Sequence, residues 1–519
     1  MKDNLYITGF MGAGKSTVGR ALAQALGRRF LSLDRSISRR LGRSVAQVFA
    51  EQGEEAFRRL ETAELRSVAQ RRGLVVATGG GLPQRAANRR LMRASGRIIF
   101  LEASLAVCRR HLGPSEVKKR PLWQDPAGLA ALFASRQQAY ADHDLKVSVD
   151  GNGPQQLAEA IAVALLPDER FNVSLDGVDC PVISTWQGPR VLAELAAGRR
   201  AVLLTDRKLA RLHLARYRAP LDEPLVIALP AGERSKTLRS AERIYKAMLQ
   251  AGIERGDLLV ALGGGVVTDL GAFVAATYKR GLPFVLASTT LLGCVDAAVG
   301  GKAAVDLGPA KNQVGLFTRP QAVLLDLKSL ATLARPQIAE GLTEAYKTGL
   351  VAAPALARRV EAEMDSLLRG DLLGLAQVAG LAARAKAAVV AEDFREGGRR
   401  RILNLGHTYG HALEGLSRFG LSHGQAVAAG IMVAAALSDR RGLLQGEAAG
   451  RIHSALQPLL PKKLVLPPAA EAWPLMQSDK KNCGGKVVFV LLAGPGRPLV
   501  AEDVRPAELQ KAIDAVKRG

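Results

Sequence analysis

The sequence contains few cysteines, few aromatic residues and no long apolar run, and each shortage excludes a class of protein. Only four cysteines occur in 519 residues, and their wide spacing without C-x-x-C pairs predicts reduced thiols in a cytoplasmic protein, not a disulfide scaffold. No run of 18 apolar residues is present, so we predict no membrane span, and the stretch 426–437 is typical of a buried helix. The first residues enter a strand directly, which predicts no secretory signal.

Aromatic residues make up only 4% of a chain whose formal net charge is +24. A nucleic-acid-binding protein of this charge usually carries a basic tail, or a basic patch with interleaved aromatics. Here the excess is arginine spread along amphipathic helices, which is typical of a solvated surface and of sites for anionic metabolites. We therefore predict small anionic ligands and no nucleic-acid partner, although nonspecific polyanion binding at low salt stays open.

The run Gly9–Ser16 is the most informative feature that is present. It matches G-x-x-x-x-G-K-[ST], follows a short apolar strand at residues 5–8 and opens a helix at residues 17–26. Glycines remove the Cβ atoms that would keep a polyphosphate away from backbone N–H groups, Lys15 supplies a charge for the β- and γ-phosphates, and Ser16 supplies a hydroxyl for Mg²⁺. We predict an ATP site with Mg²⁺, formed by Gly12, Ala13, Gly14, Lys15, Ser16 and Thr17.

The order of apolar runs and helical stretches predicts three domains. A chain of 519 residues with 48% hydrophobic content is long enough for several cores. Apolar runs alternate with helical stretches up to a break near residue 168, a second α/β block ends near residue 326, and the remainder is rich in Ala and Leu. We predict a P-loop domain with a parallel sheet over 1–168, an α/β domain over 169–326 and a mostly helical domain over 327–519.

Three further features of the first domain concern the phosphoryl acceptor. Asp34 follows an apolar run, Arg58 lies in a helical stretch, and Thr78–Gly81 ends a strand. Each has a simpler explanation when taken alone: Asp34 could be a helix N-cap, Arg58 a surface charge and the glycines a turn. Together with the P-loop they resemble shikimate kinase. The resemblance implies that Asp34 orients the hydroxyl to be phosphorylated, while Arg58 and Arg136 hold the carboxylate of shikimate and Gly80 lines the pocket.

The segment Lys119–Leu122 resembles the lid of that family, which implies that Arg120 reaches over the ATP phosphates and acts in catalysis with Lys15 and Asp34. The sequence departs from the family at Ser32, where an Asp of the Mg²⁺ shell is common. Mg²⁺ would then depend on Ser16 and the ATP oxygens. A different small-molecule P-loop kinase, for gluconate or a nucleoside, is the alternative, but the paired arginines favour a carboxylated acceptor.

Histidine is scarce as well, yet three of the seven histidines fall within 17 positions. His407 and His411 stand at i and i+4 on one helix face, His423 follows after a short loop, and Glu344 lies on an earlier helix. Two histidines and a glutamate can form a catalytic zinc shell with an open position. Spacing alone nominates His407 with His411 as the metal pair, and such pairs often serve packing only.

From about Phe171 onward the sequence resembles 3-dehydroquinate synthase, a family whose α/β domain binds NAD. A triple glycine at a strand end, 263–265, is weak evidence for a cofactor site by itself. The resemblance is carried by longer stretches, which are 231–236, 257–269, 289–292, 295–302, 311–312 and 404–407. It implies that Glu344, His407 and His423 bind Zn²⁺ (or Co²⁺), whereas His411 faces the phosphate of the substrate.

The resemblance implies conversion of DAHP, a phosphorylated seven-carbon sugar acid, to 3-dehydroquinate and phosphate. NAD⁺ would oxidise the C5 hydroxyl transiently, phosphate would leave, and the returning hydride would reduce the carbonyl again. The ring would then reopen and close by an aldol step, with the metal acting as a Lewis acid. The implied NAD contacts are Asp206, Glu233, Lys236, Gly264, Gly265, Asp269, Thr289, Thr290, Lys302, Lys311 and Thr332. The implied substrate and catalytic residues are Arg280, Asp296, Lys302, Asn312, Lys347, Lys386, Arg400, Asn404, His411 and Lys480.

Several departures from the synthase pattern accompany the match. The family often has Asn two residues after the aspartate at Asp206 and Pro before the threonine pair, and both are missing. Ala303 and Asp306 replace a usual Thr and Asn near the substrate. A secondary-metabolism sugar-phosphate cyclase and a metal-dependent polyol dehydrogenase are the alternatives, and the fused kinase favours the shikimate pathway. The resemblance also implies a homodimer through the C-terminal module, with Arg280 reaching across it.

Overall fold

A computed structural model describes residues 3–118, 123, 125–151, 153–165, 168–308, 310–417, 420–477 and 486–518. The chain separates into two units, Met1–Leu166 and Pro167–Gly519. The further predicted boundary after residue 326 stays a prediction.

The first unit is built on a parallel sheet. Its strands are β1 (Asn4–Thr8), β2 (Arg29–Ser32), β3 (Leu74–Ala77), β4 (Gly96–Glu102) and β5 (Leu145–Ser148). They lie in the order β2-β3-β1-β4-β5, with every neighbouring pair parallel. The central strand β1 is buried along its whole length, as an apolar strand covered on both faces must be. The predicted parallel sheet is therefore confirmed.

Helices cover this sheet. They are α1 (Lys15–Ala25), α2 (Leu33–Leu41), α3 (Val45–Ala69), α4 (Ala86–Ser95), α5 (Leu105–Lys118), α6 (Pro126–Tyr140) and α7 (Pro154–Leu165). Tyr6, Leu65, Val76 and Met92 meet in one buried cluster between the sheet and helices α3 and α4. This core fixes the carboxyl ends of β1, β2 and β3. Predicted kinase residues come shortly after each of these strand ends in the chain.

The second unit contains a larger, mostly parallel sheet and two hairpins. The strands are β6 (Glu169–Leu175), β7 (Val178–Thr185), β8 (Ala201–Asp206), β9 (Leu225–Leu229), β10 (Leu258–Gly263), β11 (Phe284–Ser288), β12 (Lys302–Leu307), β13 (Ala310–Phe317), β14 (Ala322–Asp326), β15 (Phe489–Leu492) and β16 (Pro498–Ala501). The sheet order is β6-β7-β14-β11-β10-β8-β9, with only β6 antiparallel to its neighbour. The hairpins are β12–β13 and β15–β16.

Helices dominate the second unit after β14, as predicted. They are α8 (Gly188–Ala196), α9 (Arg207–Leu209), α10 (Ala215–Arg218), α11 (Leu238–Gln250), α12 (Gly265–Thr277), α13 (Arg335–Ala352), α14 (Pro354–Leu368), α15 (Leu372–Glu392), α16 (His407–Leu416), α17 (His423–Arg440), α18 (Gly446–Leu456), α19 (Ala469–Gln477) and α20 (Pro506–Arg518). The predicted order of an α/β part followed by a helical part is confirmed.

Helix α15 is long and apolar enough to cross a membrane by length and composition alone, with a mean hydropathy of 1.3. However, 67% of its apolar window is buried inside the protein, where it packs against α13, α14 and β6. Core helices pass the same test, so this helix is weak evidence for a membrane span. The stretch 426–437, which the sequence nominated as a buried helix, lies in α17 and is buried.

Helices α16 and α17 approach each other unusually closely because glycines line their contact. Gly406 precedes α16 in the left-handed region, with φ of 79°, and a Cβ there would lie 2.7 Å from the backbone N of Ile431. A Cβ on Gly430 would lie under 3.0 Å from the carbonyl oxygen of Gly406. The close packing brings the first turn of α16 against α17 and so positions His407.

We expect Gly430→Ala to destabilise the second unit by about 1–3 kcal/mol, because the added methyl group forces two backbones apart. Urea unfolding of the purified protein would measure the change. Gly450→Ala is the matched control, since Gly450 lies inside α18 and a methyl group added there would have nothing within 4 Å. The free energy of unfolding of Gly450→Ala should rise by about 0.5–1 kcal/mol. An equal fall in the free energy of unfolding of both variants would contradict the packing argument.

Candidate active sites

The predicted phosphate loop joins β1 to α1. Gly9, Gly12 and Gly14 all have positive φ, at 143°, 85° and 86°, and a Cβ on Gly12 would lie 2.5 Å from the carbonyl oxygen of Cys108. The Nζ of Lys15 donates to the carbonyl oxygen of Gly9 at 2.8 Å. The ammonium group therefore lies over the loop, where it can meet a phosphate that binds to the N-terminus of α1. The remaining predicted ATP residues in and after the loop are Ala13, Ser16 and Thr17.

The glycine turn 79–81 gathers the predicted shikimate residues. A Cβ on its first glycine would lie 3.0 Å from Oδ1 of Asp34, and on its second glycine 3.1 Å from Nη1 of Arg136. On its third glycine, a Cβ would lie under 3.0 Å from the guanidinium group of Arg58. Only a turn without side chains lets three charged groups approach its backbone this closely. Two guanidinium groups and one carboxylate thus meet at the carboxyl edge of the sheet.

Glu61 belongs to the same group, although sequence reasoning missed it. Its side chain is 1% exposed, and its Oε2 lies 2.6 Å from Nη1 of Arg58. Burial raises the pKa of Glu61, while the charge of Arg58 opposes that shift. The carboxylate orients the Arg58 guanidinium toward the turn. The available signal was the i, i+3 spacing of the two residues on α3.

Two predicted residues, Arg120 and Lys480, lie outside the described residues, as does the predicted lid at 119–122. Their assignments stay predictions.

Two of the predicted NAD residues, Asp206 and Gly264, lie at the ends of β8 and β10, between which strand order reverses, and open α/β sheets bind ligands at such points. Asp206 ends β8 and accepts a hydrogen bond from the backbone N of Leu209 at 2.9 Å. Gly264 precedes α12, and a Cβ there would lie 3.0 Å from Cγ2 of Thr290. The hydroxyl of Thr289 is buried without a hydrogen-bond partner among the described residues. Backbone and hydroxyl groups are thus available to a nucleotide; Gly265 begins α12 beside them.

A buried lysine forms hydrogen bonds with further predicted residues of this site. The Nζ of Lys236 donates to Oδ2 of Asp269 at 2.6 Å and to the side-chain oxygen of Asn312. Burial opposes the charge of Lys236, but Asp269 and Glu233 outweigh it and raise its pKa. Asn312, predicted for the substrate, therefore lies beside residues predicted for NAD. Its backbone N donates to Asp306, at 2.8 Å.

Thr332 is linked to a different network. Its hydroxyl donates to the carbonyl oxygen of Ser329 at 2.7 Å and lies 3.1 Å from Nε2 of His213. Asp326, fully buried at the end of β14, forms an ion pair with Arg216 and accepts a hydrogen bond from Ser329. Sequence reasoning missed Asp326, although it follows an apolar run just as Asp34 does.

Three helices of the second unit bring one glutamate and two histidines together. The Oε1 atom of Glu344, on α13, lies 3.8 Å from Nε2 of His407 and 3.6 Å from Nε2 of His423. One ligand atom from each of the three lies within 4.8 Å of the others. Ser422 caps α17 through a capping box with Gln425, which fixes His423 as the first residue of that helix.

The chemistry and geometry of this group fit a divalent metal ion. Oε1 of Glu344 is buried without a hydrogen-bond partner among the described residues, while the other oxygen pairs with Lys347. Nδ1 of His407 meets the carbonyl oxygen of Leu405 at 3.2 Å, which leaves Nε2 for a metal. Tetrahedral zinc with bonds of about 2.0–2.1 Å would hold its ligand atoms roughly 3.3 Å apart, close to the spacing of Glu344 and His423.

His411 lies beside this group and not within it. Its ring centroid is 5.3 Å from that of His407 and 6.3 Å from that of His423. Of the two ligand sets that the sequence suggests, the one with Glu344 brings its ligand atoms within 4.8 Å of one another. Sequence reasoning missed Glu414, whose Oε2 lies 3.6 Å from Nδ1 of His423.

Next to the metal group, buried cations surround an aspartate. Nζ of Lys386 lies 2.7 Å from Oδ1 of Asp296. A Cβ on Gly300 would lie 2.5 Å from Nη2 of Arg400 and 3.7 Å from Cε of Lys386, so both cations border the same glycine. Arg400 also donates to the carbonyl oxygen of Phe394 at 2.6 Å. Two buried cations that border one glycine suit the binding of a polyanionic substrate.

Lys302 and Asn404 join this pocket through a glutamate that sequence reasoning missed. Glu396 forms an ion pair with Lys302 and accepts a hydrogen bond from Nδ2 of Asn404 at 3.1 Å. Lys347 reaches the pocket from the metal side, through its ion pair with Glu344. Arg280, by contrast, is exposed beyond α12 with φ of 66°, and no ion pair or hydrogen bond among the described residues brings it to the other cations.

We expect the kcat/KM of the reaction predicted for the second unit to fall above pH 8. Burial lowers the pKa of Lys386 from 10.5 to about 8, with Arg400 adding to the shift and Asp296 opposing it. The side chain is therefore cationic below about pH 8 and loses its charge, and its hold on an anionic substrate, as the pH rises. Lys386→Arg should move this alkaline limb to higher pH, because guanidinium keeps its proton. An unchanged limb in that variant would exclude Lys386 as its source.

Fold and sites together define a P-loop phosphotransferase and a metal-dependent α/β enzyme on one chain. The first matches the sequence profile of shikimate kinase over residues 11–166. The second matches the profiles of the 3-dehydroquinate synthase N-terminal and C-terminal domains over residues 226–340 and 341–482.

Individual relatives agree with these profiles. The chain is 41% identical over 325 residues to a 3-dehydroquinate synthase of Halorhodospira halophila, covering 62% of this chain and 92% of that protein. It is 39% identical over 342 residues to the synthase of Symbiobacterium thermophilum, covering 64% and 94%. A 2-epi-5-epi-valiolone synthase from Streptomyces hygroscopicus, solved with NAD⁺ and Zn²⁺ bound, has a TM-score of 0.62 at 25% identity, covering 66% of this chain and 98% of that one.

The chain belongs to the 3-dehydroquinate synthase family and carries a shikimate kinase domain ahead of the synthase domains. It therefore combines a kinase and a lyase of one pathway, which confirms the predicted fusion.

Proposed function

We propose that this chain catalyses two reactions of the shikimate pathway: ATP-dependent phosphorylation of shikimate to shikimate 3-phosphate, and conversion of DAHP to 3-dehydroquinate and phosphate. The observation that carries the second activity is the Glu344, His407 and His423 group beside buried cations, in a chain about 40% identical to known synthases. The cofactors are Mg²⁺ with ATP in the kinase, and NAD⁺ with Zn²⁺ or Co²⁺ in the synthase.

In the kinase, the loop N–H groups and Lys15 hold the polyphosphate, and Ser16 is the protein's ligand for Mg²⁺. Arg58 and Arg136 grip the shikimate carboxylate from the glycine turn, which sets the reactive hydroxyl next to Asp34. Asp34 accepts the hydrogen bond of that hydroxyl and aligns it with the terminal phosphate. Positioning and charge, more than covalent chemistry, carry such a reaction.

In the synthase, the metal when bound supplies a Lewis acid, and NAD⁺ supplies a reversible oxidation of a substrate hydroxyl. Glu344, His407 and His423 are the residues that would hold the metal. Lys386 and Arg400 neutralise the anionic groups of the substrate and orient it. The proposed dinucleotide contacts are Asp206, Glu233, Lys236, Gly264, Gly265, Asp269, Thr289, Thr290, Lys302, Lys311 and Thr332.

The remaining polar groups act on the substrate itself. His411 borders the metal residues and would exchange a proton with the departing phosphate. Asp296 and Asn404 would hydrogen-bond the hydroxyls of the ring. Lys347, buried beside Glu344, would supply a further positive charge.

We also propose a homodimer formed through the synthase module, acting in the cytoplasm. The exposed position of Arg280 supports a dimer, because an arginine that binds substrate must be covered, and a second protomer could bring it to the pocket. Free, buried thiols at Cys108, Cys180 and Cys294 are consistent with a reducing compartment. Analytical ultracentrifugation of wild type would test the oligomer, and a rise in the KM for DAHP in Arg280→Ala would test the shared residue.

Purified protein supplied with DAHP, Zn²⁺ and trace NAD⁺ should release phosphate without net NADH, and ADP formation should require shikimate. Steady accumulation of NADH would indicate a polyol dehydrogenase instead. A carbocycle other than 3-dehydroquinate, identified by mass spectrometry, would indicate a secondary-metabolism cyclase. ADP formation with gluconate or a nucleoside in place of shikimate would reassign the kinase.

A further inference from the structure

Glu414 lies between the metal group and the cofactor side of the synthase unit, and the proposed function gives it no role. It follows His411 by three residues on α16, so that His407, His411 and Glu414 stand at i, i+4 and i+7 on one helix face. The side chain of Glu414 is 9% exposed. A carboxylate this buried needs partners, and in the described part of the chain Glu414 pairs with side chains on two different elements.

The first partner is a residue of the metal group. Oε2 of Glu414 lies 3.6 Å from Nδ1 of His423, and the other ring nitrogen of His423, Nε2, lies 3.6 Å from Oε1 of Glu344. The imidazole ring is therefore placed between two carboxylates. A carboxylate facing Nδ1 keeps the proton on that nitrogen and leaves the lone pair of Nε2 for a metal that Glu344 would also bind, as outer carboxylates do for metal-binding histidines.

The second partner is on the cofactor side. The other oxygen of Glu414, Oε1, forms an ion pair with Nζ of Lys311 on β13. Lys311 immediately precedes Asn312, which accepts a hydrogen bond from the buried Lys236. One carboxylate thus contacts a side chain in each of the two groups that the proposed function assigns to metal and dinucleotide.

We propose that Glu414 is a positioning residue that couples metal binding to dinucleotide binding. The inference rests on the proposed function, in which His423 holds the metal and Lys311 contacts the cofactor. Lys311, held against a bound cofactor, would hold Glu414 in turn, and Glu414 would fix the His423 ring in its metal-binding orientation. By linkage, the metal must tighten cofactor binding by the same factor.

The test uses the full chain, wild type and Glu414→Gln. The Zn²⁺ Kd is measured by competition with a chromophoric chelator, with and without saturating NAD⁺, and the NAD⁺ Kd is measured by calorimetry, with and without Zn²⁺. In wild type, each ligand should tighten the other by the same factor, within the roughly 5–150-fold range of such couplings. In Glu414→Gln, Zn²⁺ affinity without NAD⁺ should fall by about 10–100-fold, and the coupling factor should fall to near one.

Two further variants separate coupling from a loss of stability. Lys311→Met removes the proposed cofactor contact but leaves the contact between Glu414 and His423 in place. Its NAD⁺ affinity should therefore fall and its Zn²⁺ affinity without NAD⁺ should stay near wild type, while the coupling disappears. This variant carries the test alone if Glu414→Gln does not fold. Glu447→Gln, on the surface of α18 with its side chain 85% exposed, should match wild type in every measurement.

Wild-type coupling retained in Glu414→Gln or in Lys311→Met would overturn the inference and leave the proposed function intact. A lower unfolding midpoint with an unchanged coupling factor would also overturn it, because a structural ion pair acts in that way. Wild-type protein that binds neither Zn²⁺ nor NAD⁺ would overturn the proposed function together with the inference.

Discussion

Replacing His407 by alanine should lower synthase turnover by more than about 100-fold, the upper range for loss of an outer-shell partner of a metal ligand. His407 would be a direct ligand, and its Nε2 lies 3.8 Å from Oε1 of Glu344. Without it, the remaining two residues cannot close a three-ligand shell. Phosphate release from DAHP reports turnover, and elemental analysis of the purified variant reports the loss of bound metal.

Kinase turnover in the same His407→Ala preparation should match wild type, because the phosphate loop belongs to the other unit. His453→Ala, on α18, removes an imidazole outside the metal group and should leave both activities unchanged. Full metal content in His407→Ala would refute the ligand assignment. A parallel fall in both activities would argue against two independent sites.

The fold was largely predictable because its signals are local. The phosphate loop follows β1 directly, and a buried strand followed by glycines marks the end of β10, so strand ends and ligand-binding loops can be read from neighbouring residues. The α/β part and the helical part also differ in composition. Strand order could not be predicted from neighbouring residues, because the placement of β14 next to β7 and β11 depends on packing between residues that are distant in the chain.

The metal group was likewise predictable only where its signals are local. Helix periodicity correctly puts His407 and His411 on one face, and the same rule extends to Glu414, which sequence reasoning missed. Periodicity cannot show that Glu344 and His423 complete the group, because that depends on how α13 and α17 pack against α16. The resemblance to a known family supplied those two residues.

The residues that sequence reasoning missed are mainly carboxylates that hold a cation in place. They are Glu61, Asp326, Glu396 and Glu414, which pair with Arg58, Arg216, Lys302 and Lys311. The sequence contains 48 acidic residues, most of which could form such pairs on a surface, so nothing local distinguishes these four. Burial distinguishes Glu61, Asp326 and Glu414, and the contacts with both Lys302 and Asn404 distinguish Glu396. Both are properties of the folded chain.

Asp34→Asn should lower shikimate-dependent ADP formation by about 10²–10⁴-fold, the range for loss of a group that handles a proton in the transition state. The carboxylate lies beside the glycine turn that also approaches Arg58 and Arg136, so we expect it to face the acceptor and not the nucleotide. The Kd for ATP, measured by calorimetry, should therefore stay within a few-fold of wild type. Synthase turnover should not change.

Asp34→Asn also distinguishes a catalytic role of Asp34 from stabilisation of the N-terminus of α2. Asp34 lies in the first turn of α2, where a negative charge stabilises a helix by about 0.3–1 kcal/mol. If that were its only contribution, Asp34→Asn would lower the free energy of unfolding slightly and leave ADP formation near wild type. Asp3→Asn, which neutralises an exposed carboxylate paired with Arg72 at 3.6 Å, controls for the loss of one surface charge. A loss of turnover confined to Asp34→Asn, at nearly constant stability, would assign the carboxylate to the acceptor hydroxyl.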